Sequence, residues 1–196
     1  MNPELEALSY PERVYSRTDV IGTPTTVPRM RGIYAWFFTE ELSLVSTSNC
    51  IQSKDLYLLY VGIAPSRPRK NGTISNENLY SRIRYHYNGN AYGSTLRLSL
   101  GCLLSERLGI QLRCVGKSGK RMTFTKEGER TLSLWMEENA FVTWIEHEIP
   151  WKLEEVAIKE LSLPLNLKGN EHNPFHSSLT KLRKTAKENA RDLPII

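Results

Sequence analysis

The stretch "RGIYAWFF", residues 31–38, decides how the chain is read. A glycine leads into apolar and aromatic residues, a composition that suits a buried β-strand. Taken alone it says no more. A counterpart follows downstream at "LYLLYVGI", residues 56–63, a second run rich in Leu, Tyr and Val. It reads as a fully buried strand ending in Tyr60-Val61-Gly62.

Working outward, a polar stretch from Ser46 to Ser53 separates the two runs, and Pro65, Pro68 and Gly72 mark a basic loop after the second. From about Asn76 the period becomes helical, with Leu79, Ile83 and Tyr87 at i, i+4 and i+8, ended by Gly89 and Gly93. Ser94 suits an N-cap for a further helix whose apolar face is Leu96, Leu100, Leu103, Leu104 and Leu108. Residues 110–124 read as a hairpin about Gly-Lys-Ser-Gly. A helix over about 127–139 carries Leu132, Trp135 and Met136, and a strand is expected at 141–148. A helix then runs from Pro150 to about Leu161, and Asn173-Pro174 is read as cap and first turn of a basic helix reaching Arg191. Residues 1–30, with Pro3, Pro11, Pro24 and Pro28, are expected to form an irregular lead-in. The fold class is α/β (α+β): one domain over 31–196, with a small mixed or antiparallel sheet flanked by helices. A helix–hairpin–helix stretch lies at about 93–143.

The sequence has no apolar run near the roughly 18 residues of a membrane span, and no membrane partner is expected. The opening MNPELEALSYPERV is too charged and interrupted for a secretory leader. Cys50, Cys102 and Cys114 are dispersed and odd in number, so a reducing, cytoplasmic setting is expected. The net charge of +5 is concentrated. Arg67, Arg69, Lys70, Arg82, Arg84 and Arg97 fall in one window with Glu77 as its single acid. Tyr80, Tyr85, Tyr87 and Tyr92 interleave with them, a pattern that suits a polyanion such as nucleic acid. The same window also reads as an ordinary solvated loop.

The ordered set is more specific than any of its parts. A strand opening Gly-Ile-Tyr, a second ending Tyr-Val-Gly, and then a helix bearing Arg and His resemble the GIY-YIG nuclease family. In S-R-I-R-Y-H-Y, Arg82 and His86 are four residues apart and share a face, while Arg84 lies on roughly the other side. The resemblance selects Arg82 and His86. It extends to "LEEVAIKELSLPLNL", residues 153–167, where the family's metal-binding acid corresponds to Glu154, with Glu155 as the fallback, and Asn166 follows twelve residues on. Two departures stand out. Ile63 occupies the position where excision-repair members carry a lysine, and the stretch at 93–143 is larger than the family core needs.

The resemblance implies a divalent-metal-dependent endonuclease that hydrolyses phosphodiester bonds, with DNA expected over RNA. Glu154 would hold Mg²⁺ or Mn²⁺ as a single hard carboxylate. Arg82 would present a planar fork to the scissile phosphate. Tyr60 is the candidate base, and Tyr34 an alternative base or an orienting hydroxyl. His86 would orient water or relay a proton, and Asn166 would fix phosphate or backbone. Arg67, Arg69, Lys70, Arg84 and Arg97 are the expected nucleic-acid contacts. His172 and His176 are also spaced i, i+4, but Pro174 between them speaks against one helical face, and zinc is not expected. The rival reading is a module of the same fold that binds nucleic acid without cleaving it.

Overall fold

The computed structural model describes residues 2–39, 42 and 44–196. Among these, four strands form one antiparallel sheet in the order β2-β3-β1-β6: β1 (Gly32–Phe38), β2 (Gln52–Ser53), β3 (Leu56–Ala64) and β6 (Ala140–Glu146). The "mixed" alternative is thereby removed. β1 is central and buried along its whole length, because it pairs with β3 on one side and β6 on the other. That explains a strand apolar on both faces.

The two faces pack against different helices. Ile33, Ala35, Phe37, Leu58, Val61 and Ile63 meet α1 (Pro3–Ser9) and α7 (Pro150–Glu160) through Leu5, Leu8, Leu153, Ala157 and Ile158. Tyr34, Trp36, Phe38, Leu59 and Tyr60 face α3 (Leu79–Asn88), α4 (Thr95–Leu103) and α6 (Thr125–Asn139) through Leu79, Ile83, Leu96, Leu100 and Leu132. Leu59 and Tyr60 are neighbours, yet both face this second side. The pairing shifts between Trp36 and Phe37, leaving Leu59 as an extra residue on β3. Such a bulge restarts the alternation of side chains, so that Tyr60 lies on the same face as Tyr34.

Three expectations change. The lead-in is not irregular: α1 starts on Pro3, with Asn2 capping, and α2 (Arg17–Ile21) is opened by a Ser16–Asp19 capping box. Proline fits the first turn of a helix, where its missing N–H would be unpaired anyway. The leucine-rich helix after Ser94 is two helices, α4 and α5 (Ser105–Leu108), separated at Leu104. The hairpin β4 (Arg113–Val115) and β5 (Arg121–Thr123) then leads into α6. Finally, α8 (His176–Arg191) starts after Asn173, whose side chain accepts from Phe175 N–H in the turn before the helix.

Arg97 needs the largest correction. It was expected on the nucleic-acid surface and is fully buried. Its guanidinium forms a two-pronged pair with Glu129, at 2.9 and 2.7 Å, and donates to the carbonyls of His86, Tyr87 and Glu129. Glu129 in turn accepts from the N–H groups of Ala91 and Phe124. One ion pair thus ties α4 and α6 to the end of α3. Removing one partner of such a pair leaves a buried charge uncompensated. Arg97→Leu is therefore expected to cost about 3–5 kcal/mol in chemical denaturation, with no change in the nucleic-acid affinity of the molecules that remain folded. Near-native stability combined with weakened binding would return Arg97 to the surface role.

Candidate active site

A cleft of about 760 Å³ opens beside β1 and β3, with α3, α4, α7 and α8 all contributing to its lining. Tyr34, Tyr60, Arg67, Glu77, Arg82, Glu154, Asn166 and Arg183 are among its lining residues. They come from β1, β3, α3, α7, α8 and loops, so the fold gathers groups that lie up to 149 positions apart, Tyr34 to Arg183.

Tyr34 sits opposite Gly62 in the β1–β3 register. A Cβ on Gly62 would lie 2.5 Å from the Tyr34 hydroxyl and 2.6 Å from the ring carbon that bears it. Only a glycine leaves room for the phenol. The hydroxyl is 2.8 Å from His86 Nε2, and His86 Nδ1 is 2.7 Å from Ser94 Oγ. Ser94 Oγ also caps α4 by accepting Arg97 N–H. All three side chains are buried, and buried polar groups are almost always satisfied. The arrangement that leaves no orphan has Ser94 donating to Nδ1 and Nε2–H donating to Tyr34. The phenol's own proton then remains for the cleft. His86 itself does not line the cleft; it meets it only through Tyr34, whose hydroxyl it holds.

Burial pushes the Tyr34 phenol well above its ordinary value, with Tyr60 adding to the shift and Arg82 opposing it. Burial raises Tyr60 too, against Thr95, whose hydroxyl is 3.4 Å away, and Arg82. Both phenols are protonated at rest. Burial, then Arg82 and Arg97, push His86 well below its ordinary range, so the imidazole is neutral. Arg82 donates to the Gly93 carbonyl at 3.0 Å and lies 3.8 Å from Glu77. Burial opposes its charge, but Tyr34, Glu77 and Tyr60 outweigh that and hold the guanidinium above its ordinary value.

Glu154 lines the cleft and Glu155 does not; their side chains are 17% and 57% exposed. Arg67 bridges both, reaching Glu154 at 3.4 Å. Burial raises the Glu154 carboxyl above its usual value, with Arg67 and Lys168 working against the rise. Asn166 uses its amide on the backbone of Val61, accepting from N–H and donating to C=O, both at 2.9 Å. Beside it Leu165 N–H donates to Leu59 C=O at 3.1 Å. These bonds stand in for a neighbouring strand along the edge of β3 that β2 leaves unpaired, so Asn166 fixes backbone. Arg69, Lys70 and Arg84 are exposed and outside the cleft.

Lys168 and Arg183 line the cleft and were missed by the sequence reading. Arg183 did leave a signal. It interrupts the apolar stripe Leu179, Leu182, Ala186 and Ala190 of α8. For a metal, no cluster of three or more His, Cys, Asp and Glu occurs among the described residues. A lone, mostly buried carboxylate fits a hard ion that keeps several waters and shares phosphate oxygens.

Compared with known proteins, residues 32–185 match the family model described as the GIY-YIG catalytic domain. No curated protein and no solved structure matches the chain.

Two outcomes follow from the Tyr34 environment. Gly62→Ala is expected to displace the phenol from His86 while the sheet still forms, as a structure of the variant would show. An unmoved Tyr34 would show that the contact is not limiting. For His86 the sign is fixed by its lowered value. Below the unfolded value of 6.5 the unfolded chain takes up a proton that the folded chain refuses. Stability is therefore full above about pH 6.5 and falls as pH drops below it. Unfolding curves across pH should show this slope in the wild type and its loss in His86→Gln.

Proposed function

The chain belongs to the GIY-YIG nuclease family, and from that premise we propose that the cleft is the active centre of a divalent-metal-dependent endonuclease acting on DNA. The observation that carries the reading is the convergence of Tyr34, Tyr60, Arg82 and Glu154, from four separate segments, on one cleft.

Arg82 is anchored at Gly93 and Glu77, which leaves a pre-set guanidinium to take two oxygens of the scissile phosphate and offset charge growing there. Tyr34 and Tyr60 keep their protons at rest, so they serve as hydrogen-bond donors that place the attacking water and the phosphate. The His86–Ser94 chain keeps Tyr34 aimed. Asn166 holds the β3 backbone beside Gly62, so the floor of the cleft does not shift. Glu154 would hold Mg²⁺ or Mn²⁺, which when bound supplies Lewis-acid charge to the phosphate.

A non-cleaving binding module is the second reading. It is favoured by the ion pair of Arg67 with Glu154 and Glu155, which gives the acid a structural use.

Incubation with plasmid, linear, branched and single-stranded DNA, with Mg²⁺, Mn²⁺ or chelator, separates the two. Cleavage should require the metal and be lost in Glu154→Gln, with binding retained and Glu155→Gln active. Under single-turnover conditions Arg82→Ala should lose about 10²–10³-fold, as when one transition-state donor is removed. Arg82→Lys should not recover the rate, because an ammonium is a point charge and not a planar fork. Arg84→Ala should change affinity at most. A metal-independent wild type, or a fast Arg82→Ala, would defeat the assignment.

A further inference from the structure

Arg97 is fully buried and Arg183 half-buried, yet only Arg97 has an anion beside it. Among the described residues Arg183 makes one long hydrogen bond, 3.4 Å to Ser99 Oγ. Among the described residues no carboxylate lies within ion-pair distance of it. Its electrostatic neighbours are the Cys102 thiol and the Tyr60 phenol. Burial pushes the thiol up to about 11 and raises the phenol as well, so both are neutral. A guanidinium does not escape by losing its proton. Arg183 therefore stands as an uncompensated, partly desolvated positive charge, an arrangement that costs stability unless an anion arrives.

Its location gives that charge a use. Arg183 lines the same cleft as Arg82, and both act on the Tyr60 hydroxyl. Thr95, at the start of α4, and Lys168 line it as well. We propose that Arg183, with Thr95 and Lys168, forms a second phosphate-binding subsite in this cleft. It would take a phosphate of the strand next to the one held by Arg82. The proposal rests on the nucleic-acid reading of the cleft but not on cleavage. The bland alternative is that the long stem of Arg183 covers the apolar seam between α4 and α8 while its head reaches water.

Arg183→Met separates the two, because it keeps the stem and removes the charge. It should melt at or above the wild-type temperature. Inorganic phosphate should raise the melting temperature of the wild type through linkage, and raise that of Arg183→Met less. Affinity for an oligonucleotide should fall roughly ten- to hundredfold, as for loss of a charged hydrogen bond. The slope of log affinity against log salt should shrink by about 0.9, one phosphate contact. Arg183→Lys, which keeps stem and charge, should retain the slope while binding more weakly. Equal phosphate shifts and equal salt slopes in wild type and Arg183→Met would overturn the subsite. So would a fall in melting temperature like that of an Arg97 variant, or failure of Arg183→Met to fold together with oligonucleotide affinity in Arg183→Lys equal to that of the wild type. A wild type that binds oligonucleotide through Arg183 but cuts nothing would sink the nuclease reading and leave the subsite standing.

Discussion

The phenol of Tyr34 lies against the bare Cα of Gly62 across two antiparallel strands, and the cleft is organised around that contact. It requires a central strand held in register from both sides. Gly32 serves the same end, since a Cβ there would lie 2.2 Å from the Ile145 carbonyl and 2.8 Å from Leu79. Without that glycine β6 does not close on β1, and Leu79 of α3 has to shift. A slip of one residue would send Tyr34 and Trp36 to the opposite face. The register is therefore as much part of the site as any side chain that lines it.

The strands were legible because burial on both faces writes itself as continuous apolar runs, and Ser94 was legible because caps are local chemistry. What stayed hidden depends on distant partners. The bulge at Leu59 leaves no mark in the alternation of a fully apolar strand, although it decides that Tyr60 joins Tyr34. The break at Leu104 was masked by leucines that keep helical spacing across it. Arg97 was read as surface because a charged residue usually is. Its partner Glu129 lies 32 residues on, in a helix whose packing the sequence does not declare.

The site divides in the same way. Tyr34, Tyr60, Arg82 and Glu154 could be named from ordered motifs, and the choice of Glu154 over Glu155 agrees with which of the two lines the cleft. The roles of His86 and Asn166 needed the structure, because a neutral buried imidazole and a backbone-bonded amide look in sequence like any other polar residues. Both act by holding something else: His86 the phenol, Asn166 the strand edge.

Charge in the cleft shows what ligand it is built for. Arg67, Arg82, Lys168 and Arg183 line it, against Glu77 and Glu154. Glu77 lies beside Arg82, and Arg67 lies on Glu154. Arg183 keeps its charge unmatched within the cleft, while the exposed Lys168 acts on Glu154. In a partly desolvated space such a surplus is costly when empty and favourable when an anion fills it. If Glu154 holds a divalent cation as proposed, that ion and the Arg67 guanidinium would compete for the same carboxylate. Whichever binds there, the total positive charge facing the cleft does not fall, because a displaced Arg67 remains on the loop beside it. A strand carrying several phosphates matches that surplus in both states, whereas a single small anion leaves part of it unmet.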